Sequence, residues 1–163
     1  MSPDKDKGKI NQNRISKDQY FMEIAEIVSK RSTCIKRKVG AILIKDNHIL
    51  STGYNGAPSG FTHCTAQTCV RQNLKPGEHP ELCRGVHAEA NCIIQAALHG
   101  TSIDGNTTLY CTTFPCMSCL KLLMNAKVNR IVYKEGYFME NKVKQDLVDE
   151  SKMKIEQFSV KST

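Results

Sequence analysis

The sequence predicts an α/β protein built on one sheet with helices on both faces. Segments with helical spacing of apolar residues alternate along the chain with short β-branched runs, in the order α-β-β-α-β-α-β-α-β. The 163 residues suffice to bury one core of useful size. A hydrophobic fraction of 40% and a charged fraction of 24% lie near the soluble-globular averages and argue against a mostly disordered chain. No apolar run approaches the roughly 18 residues that a membrane helix needs. The opening MSPDKDKGKINQNR lacks the apolar core of a signal peptide. A cytoplasmic location and no membrane partner are therefore expected.

Residues 1–15 read as a flexible polar leader, and residues 16–163 as a single domain. Phe21, Ile24, Ala25 and Val28 recur at helical spacing, which predicts a helix over 16–32 with Ser16 as its N-cap. Residues 39–44 are a β-branched run, Lys45-Asp46-Asn47 reads as a turn, and 49–54 as the returning strand of an antiparallel hairpin. The glycine-, proline- and asparagine-rich stretch GYNGAPSG at 53–60 must be a loop. Residues 61–86 have no clear periodicity and hold three cysteines; a structureless stretch that long calls for an explanation, which a bound metal supplies. A helix follows over 88–99, with Gly100 placed to end it. Next come a strand at 107–112, a helix at 116–125 opening after Pro115, a short strand at 130–134, a helix at 141–151 and a closing strand at 154–160. Strands separated by helices are expected to pair in parallel.

The formal charge of +7 fits an anionic ligand. Much of the excess lies in the leader and in 121–127 and 134–154, where lysines spread among acids and apolar residues as on solvated faces. No Arg-rich block with interleaved aromatics appears, so a small phosphate ligand is favoured and no nucleic acid is expected as a partner.

The eight cysteines are the strongest signal: Cys34, Cys64, Cys69, Cys83, Cys92, Cys111, Cys116 and Cys119. The chain is too long to need disulfide staples and carries no export signal, so metal binding is their better use. Two pieces carry the chemistry, His87-Ala88-Glu89 and Pro115-Cys116-Met117-Ser118-Cys119. Zinc takes tetrahedral nitrogen and sulfur ligands, and a catalytic zinc keeps one of its four positions for water. His87, Cys116 and Cys119 supply three ligands. Cys116 and Cys119 lie three apart and share a face of the helix that starts there. The partial positive charge of that helix end favours thiolate over thiol. Glu89, two residues beyond His87, falls beside the metal without coordinating it. A carboxylate there can carry protons from water, first to a ring nitrogen and then to a departing amine. Alone, CxxC also fits a redox pair, and HAE fits any helix start. Their conjunction, with proline before CxxC and both pieces opening helices, points to a catalytic zinc.

H-x-E followed by P-C-x-x-C is the signature of zinc deaminases acting on cytosine or adenine rings. Over residues from about 16 to 137 the sequence resembles the cytidine and deoxycytidylate deaminase superfamily. Within it, the sequence is most similar to the deoxycytidylate (dCMP) branch. The matching pieces are Val39-Gly40-Ala41-Ile42-Leu43, Gly53-Tyr54-Asn55-Gly56-Ala57-Pro58, Cys83-Arg84-Gly85-Val86-His87-Ala88-Glu89-Ala90-Asn91 and Phe114-Pro115-Cys116-Met117-Ser118-Cys119. The GYNGAP loop and the long insert before HAE favour the dCMP branch. The resemblance implies a three-layer α/β/α sandwich around a five-stranded mixed sheet, and zinc-dependent hydrolysis of dCMP to dUMP and ammonia, which supplies dUMP for thymidylate synthesis. It also implies that Asn55 helps hold the sugar or phosphate, although asparagine beside glycine is ordinary turn chemistry. Asn91 would stabilise the site from the helix after Glu89. Lys36, Arg37 and Lys38 fit a 5′-phosphate or a solvated basic cluster equally well. Members of this branch are commonly homo-oligomers, often hexamers, and many are activated by dCTP and inhibited by dTTP. Two other readings stay open: a deaminase of another cytosine or adenine substrate, such as a nucleoside or tRNA, and a non-catalytic member acting as a binding protein.

A second, structural zinc is expected at Cys34, Cys64, Cys69 and Cys83. Cys92 falls inside a helix and Cys111 inside a strand, where small buried thiols are common. The other four sit in loops or at element ends. Four thiolates make a closed structural site that would fix the irregular insert directly before His87. His63 and His79 are rival ligands. Some members of the dCMP branch hold such a zinc at positions matching Cys34 and Cys64, with other partners completing it.

Overall fold

The computed structural model describes residues 14–75, 78–136 and 142–159. The expected leader, apart from Arg14 and Ile15, lies outside these residues, as does Asn141 at the expected start of the fourth helix. The elements are α1 (Lys17–Ser29), β1 (Gly40–Lys45), β2 (His48–Tyr54), α2 (Ala88–Leu98), β3 (Thr107–Thr113), α3 (Met117–Asn125), β4 (Val128–Glu135), α4 (Lys142–Ser151) and β5 (Lys154–Gln157). A single 3₁₀ turn, Pro80–Leu82, interrupts the insert.

The five strands form one mixed sheet in the order β2-β1-β3-β4-β5. β1 and β2 make the expected antiparallel hairpin, and β3–β4 and β4–β5 pair in parallel. One expectation needs correcting. β3 follows a helix, yet it pairs antiparallel, with β1. The β2-α2-β3 crossover passes over β1, so β3 runs in the direction of β2 without touching it. The parallel rule holds for direction here and fails for adjacency.

Alternation along the central strands divides the core between two faces. Ile42, Ile44, Tyr110 and Val132 pack with Phe21, Met22 and Ala25 of α1. Ala41, Leu43, Leu109, Cys111, Ile131 and Tyr133 pack on the opposite side with residues of α2, α3 and α4, among them Ala88, Cys92, Leu120, Leu123 and Val148. This is the expected three-layer sandwich. Both thiols expected to be plain core residues, Cys92 and Cys111, are fully buried, and Cys92 Sγ donates to the Ala41 carbonyl at 3.1 Å.

Local chemistry sets the element ends. Ser16 Oγ accepts from the Gln19 amide at 3.1 Å, the expected N-cap. α1 stops at Ser29 rather than 32, because the chain tightens into bonds three residues back from Lys30, Arg31 and Ser32. The Ser32 hydroxyl is then free to donate to Asn55. α2 ends in paired bonds from Gly100 to Ala97 and Thr101 to Ala96, with Gly100 at φ 64°, a conformation that favours glycine. β4 begins earlier than expected, at Val128, which pairs with Thr107 of β3.

Gly53 sets the approach of α2 to the sheet. A β-carbon there would lie 2.2 Å from the Ala88 carbonyl oxygen and 2.6 Å from the Cys92 amide nitrogen. Both atoms are helix backbone, so the whole of α2 would have to move. Gly53→Ala is expected to lower stability by about 1–3 kcal/mol, the usual cost of overpacking. Gly105→Ala, at a position with open space around it, should change little. Denaturant midpoints of the two variants compare the effects directly.

On the other face, Asp18 binds α1 to the sheet. Arg130 donates to both of its carboxylate oxygens, at 3.0 and 2.9 Å, and Tyr110 donates to one of them. Arg130 holds the Asp18 carboxyl below its ordinary value of 3.8, against the opposing effect of burial. A depressed folded-state pKa stabilises above the unfolded value, and the gain disappears as pH falls through the folded one. Asp18→Asn should therefore be less stable than the unmodified protein at neutral pH, and the gap should close on acidification. Urea midpoints along the acid limb measure it; a gap that widens with acid would refute the assignment.

Candidate metal centre and active site

His87 is the N-cap of α2 and Cys116 the N-cap of α3, both in extended backbone. α2 and α3 lie on the same face of the sheet, so their N-termini deliver the two motifs to one point. His87 Nδ1 lies 3.4 Å from Cys116 Sγ and 3.5 Å from Cys119 Sγ. The three ligand atoms fall within 4.8 Å of one another. Cys116 precedes the first helical residue instead of being it, but one turn of α3 still brings Cys119 beside it.

These distances test the fit of a metal. Zinc–sulfur bonds near 2.3 Å and zinc–nitrogen bonds near 2.0–2.1 Å, opened at a tetrahedral angle, place nitrogen and sulfur about 3.5 Å apart. The three side chains therefore stand at the spacing that zinc requires. One imidazole and two thiolates also suit its preference for nitrogen and sulfur. A three-ligand set of this kind leaves a fourth position for water, as in catalytic rather than structural sites.

The charge state agrees. Cys119 beside Cys116 pulls the Cys116 thiol far below its usual value, helped by His87 and opposed by burial. Cys119 is pushed up, first by the Cys116 thiolate and then by burial. Cys116 also raises the His87 imidazole. The thiols and the imidazole thus compete for protons that a divalent cation would displace. Glu89, only 4% exposed, occupies the first turn of α2. Burial raises its carboxyl above the ordinary value, while the surrounding hydrogen bonds, one of them with Cys119, oppose the rise.

Asn55 and Asn91 both make bonds within the protein. Asn55 Oδ1 accepts from Ser32 Oγ at 2.7 Å and from the Val39 amide at 2.8 Å, and its Nδ2 donates to the Arg37 carbonyl at 2.9 Å. The GYNGAP loop is thereby tied to the segment leading into β1, and one amide hydrogen remains. Asn91 Nδ2 donates to the Tyr54 carbonyl at 2.7 Å, joining α2 to the end of β2. The basic triplet divides. Lys36 Nζ donates to the carbonyls of Arg71 and Leu74 and so holds the insert, and Arg37 faces Glu135 at 3.7 Å. Lys38 has no ion pair among the described residues.

Cys34, Cys64, Cys69 and Cys83 are half-buried free thiols. After burial, the groups that raise the Cys64 thiol are Cys69, Cys34 and Cys83, in that order. The charges of these three reach Cys64, but among the described residues no three of the four bring their ligand atoms within 4.8 Å of one another. Among the described residues, His87, Cys116 and Cys119 form the cluster with three ligand atoms within 4.8 Å.

One residue near the site escaped the sequence reading. Lys144 falls in a stretch read as a solvated face, yet it is 4% exposed. Its Nζ donates to the Pro115 carbonyl at 3.1 Å and lies 4.0 Å from the centroid of the Phe114 ring. Burial lowers its pKa, and the Cys116 charge opposes that. A signal existed: Lys144 lies one turn before buried Val148, on the inward face of α4.

A cavity of about 740 Å³ opens between β2, the loop after it and the outer side of α2. Asn91 and His63 help line it, and His87, Glu89 and the α3 cysteines do not. Ile49, Tyr54 and Phe61 on its walls, with Ile94 and Leu98 of α2, are exposed apolar side chains. Among the described residues, no helix is long and apolar enough to cross a membrane.

Two helix starts thus present a histidine and two cysteines beside a buried carboxyl, the donor set of a zinc-binding site with an open fourth position. Residues 15–135 match the family described as the cytidine and deoxycytidylate deaminase zinc-binding region. The chain belongs to that family. It is 38% identical to the deoxycytidylate deaminase of Schizosaccharomyces pombe over 133 residues, covering 80% of this chain and 41% of the relative. It is 37% identical to that of Mycobacterium phage D29, covering 71% of this chain and 92% of the phage protein. The chain spans about two fifths of the length of the yeast relatives it matches. Its fold is similar to the dCMP deaminase of cyanophage S-TIM5 crystallised with dCMP and dUMP. The TM-score there is 0.71 at 33% identity, over 86% of this chain and 95% of that one.

Proposed function

We propose that this protein hydrolyses dCMP to dUMP and ammonia, using one zinc held by His87, Cys116 and Cys119 and a proton carried by Glu89. The observation that carries the reading is the convergence of both halves of the deaminase motif at zinc spacing, with Glu89 buried beside them. The relatives of Schizosaccharomyces pombe and Mycobacterium phage D29 are deoxycytidylate deaminases, which favours dCMP among the possible ring substrates. Zinc, when bound, supplies an activated water for attack on C4 of the cytosine ring. Glu89 would take one proton of that water and pass it to ring N3, where the product keeps it, and would then carry the water's second proton to the departing amine. Asn55 offers its one remaining amide hydrogen to the sugar or phosphate. Arg37 and Lys38 supply positive charge for the 5′-phosphate, whereas the carbonyls of the insert already claim the Lys36 ammonium. Asn91 keeps α2, and so His87 and Glu89, in register with β2. The apolar rim of the 740 Å³ cavity suits a homo-oligomer contact, where effectors such as dCTP and dTTP would act. The same reading places residues 16–163 as one catalytic domain working in the cytoplasm.

Ammonia release from dCMP, CMP, deoxycytidine and a cytosine-containing oligonucleotide tests the function. The phosphorylated deoxynucleotide should be strongly preferred; a preference for deoxycytidine or the oligonucleotide would reject dCMP. In the same assay, Glu89→Gln should keep its zinc and lose roughly 10²–10⁴-fold in turnover, the usual contribution of a placed proton carrier. Near-normal rates would remove Glu89 from the mechanism.

The second zinc is part of the same proposal. Cys34, Cys64, Cys69 and Cys83 come from three separate stretches of chain, none of them is in a disulfide, and the charges of the other three bear on Cys64. A metal there would stiffen the insert that leads into His87. Metal content near two per chain, falling to one in Cys69→Ala/Cys83→Ala with lower thermal stability, is the expected outcome. A content near one, unchanged by the substitutions, would reject it.

A further inference from the structure

We propose that Lys144 is a positioning residue of the metal centre: its buried ammonium fixes the Pro115 carbonyl and thereby the approach of Cys116. The inference rests on His87, Cys116 and Cys119 being the metal ligands, and it does not depend on which substrate is used.

Proline has no N–H, so the turn into α3 can be held at this residue only through its carbonyl. Cys116 is the N-cap, and its own carbonyl accepts the first helical bond, from Leu120 at 2.9 Å. The Pro115 carbonyl therefore lies one residue outside the helical ladder. Pro115 is also fully buried, and a buried acceptor needs a donor. Lys144 Nζ is that donor, at 3.1 Å, reaching across from α4. Its second contact, 4.0 Å from the Phe114 ring centroid, grips the residue before the proline. Phe114 is already anchored elsewhere: its amide donates to the Glu135 carbonyl at 2.7 Å, and its ring meets Tyr133 edge-on at 4.8 Å. Gly136 also closes on it, since a β-carbon there would lie 2.9 Å from Phe114 Cβ. Lys144 thus completes a clamp on the two residues that aim Cys116.

The charge of Lys144 points the same way. Burying an ammonium without an anionic partner is costly, and among the described residues no carboxylate pairs with Lys144. Other lysines of this region, such as Lys142, remain exposed.

The experiment compares Lys144→Met, which keeps an unbranched stem but no charge or donor, with Lys144→Arg, which keeps both. Zinc affinity is measured by competition with a chelator. kcat and KM for dCMP are measured at saturating zinc, and thermal unfolding by circular dichroism. Removing the partner of a metal-ligand segment typically costs about 10–100-fold in metal affinity or activity. Lys144→Met is expected to lose that much in zinc affinity or in kcat with KM little changed, and Lys144→Arg to recover most of it. Should the Met variant not fold, Lys144→Gln is read in the same way. Zinc affinity and kcat both indistinguishable from the unmodified protein in the Met or Gln variant would overturn the proposal. An equal loss in the Arg variant would also overturn it, by reducing Lys144 to packing volume. The zinc measurement needs no substrate. Weakened zinc in a protein inactive on dCMP would sustain this inference while rejecting the substrate reading.

Discussion

Two helix N-termini must arrive within one nitrogen–sulfur contact of each other, and most of the architecture serves that constraint. His87 caps α2 and Cys116 caps α3, and His87 Nδ1 stands 3.4 Å from Cys116 Sγ and 3.5 Å from Cys119 Sγ, so a slide of either helix would open the set. A shift of one ångström would turn a tetrahedral ligand set into a scattered trio. Each helix is therefore fixed against something rigid. α2 packs on β2 at backbone distance, where Gly53 removes the only atom that would obstruct it. α3 is aimed by the segment 114–116, which β4, the start of the next loop and α4 hold from three sides.

This constraint explains why the sheet has the order it does. A β2-α2-β3 crossover that skips β1 puts α2 over the middle of the sheet, and the β3-α3-β4 unit then lays α3 on the same face beside it. Had β3 paired directly with β2, α2 would sit above a sheet edge. α1 closes the other face through the Asp18–Arg130–Tyr110 bonds and a compact apolar cluster. It carries none of the metal ligands and acts as the counterweight that lets both sides of β1, β3 and β4 be buried.

Much of this was legible in the residues. Helices and strands announced themselves through periodicity, and Ser16 and Gly100 marked ends by known cap chemistry. The metal motif was legible because it is local: a histidine and a glutamate two apart, and two cysteines three apart, each riding on a helix start. What was not legible depends on non-local contacts. Nothing in 107–112 says that its neighbour is β1, because adjacency follows from where α2 lands. The basic triplet at 36–38 looks uniform in sequence, but the ammonium of Lys36 is drawn into the insert while Arg37 turns to Glu135. Asn55 read as either a turn residue or a ligand. Its three bonds make it a brace for the loop, with a single hydrogen to spare.

Lys144 shows how polarity misleads when it is read apart from periodicity. Its neighbours Lys142 and Val143 are both exposed, the charged residue and the apolar one alike, while Lys144 is inside. Residue type would have put Val143 in the core and Lys144 in water. Helical phase gives the opposite answer, because Lys144 shares a face with Val148. A fold accepts a buried charge against residue preference only where the charge meets something specific. Here it meets the carbonyl of a proline that stands one residue before a metal-site cysteine. The contacts around the centre thus extend past its three ligand atoms to an element, α4, that carries none of the motif residues.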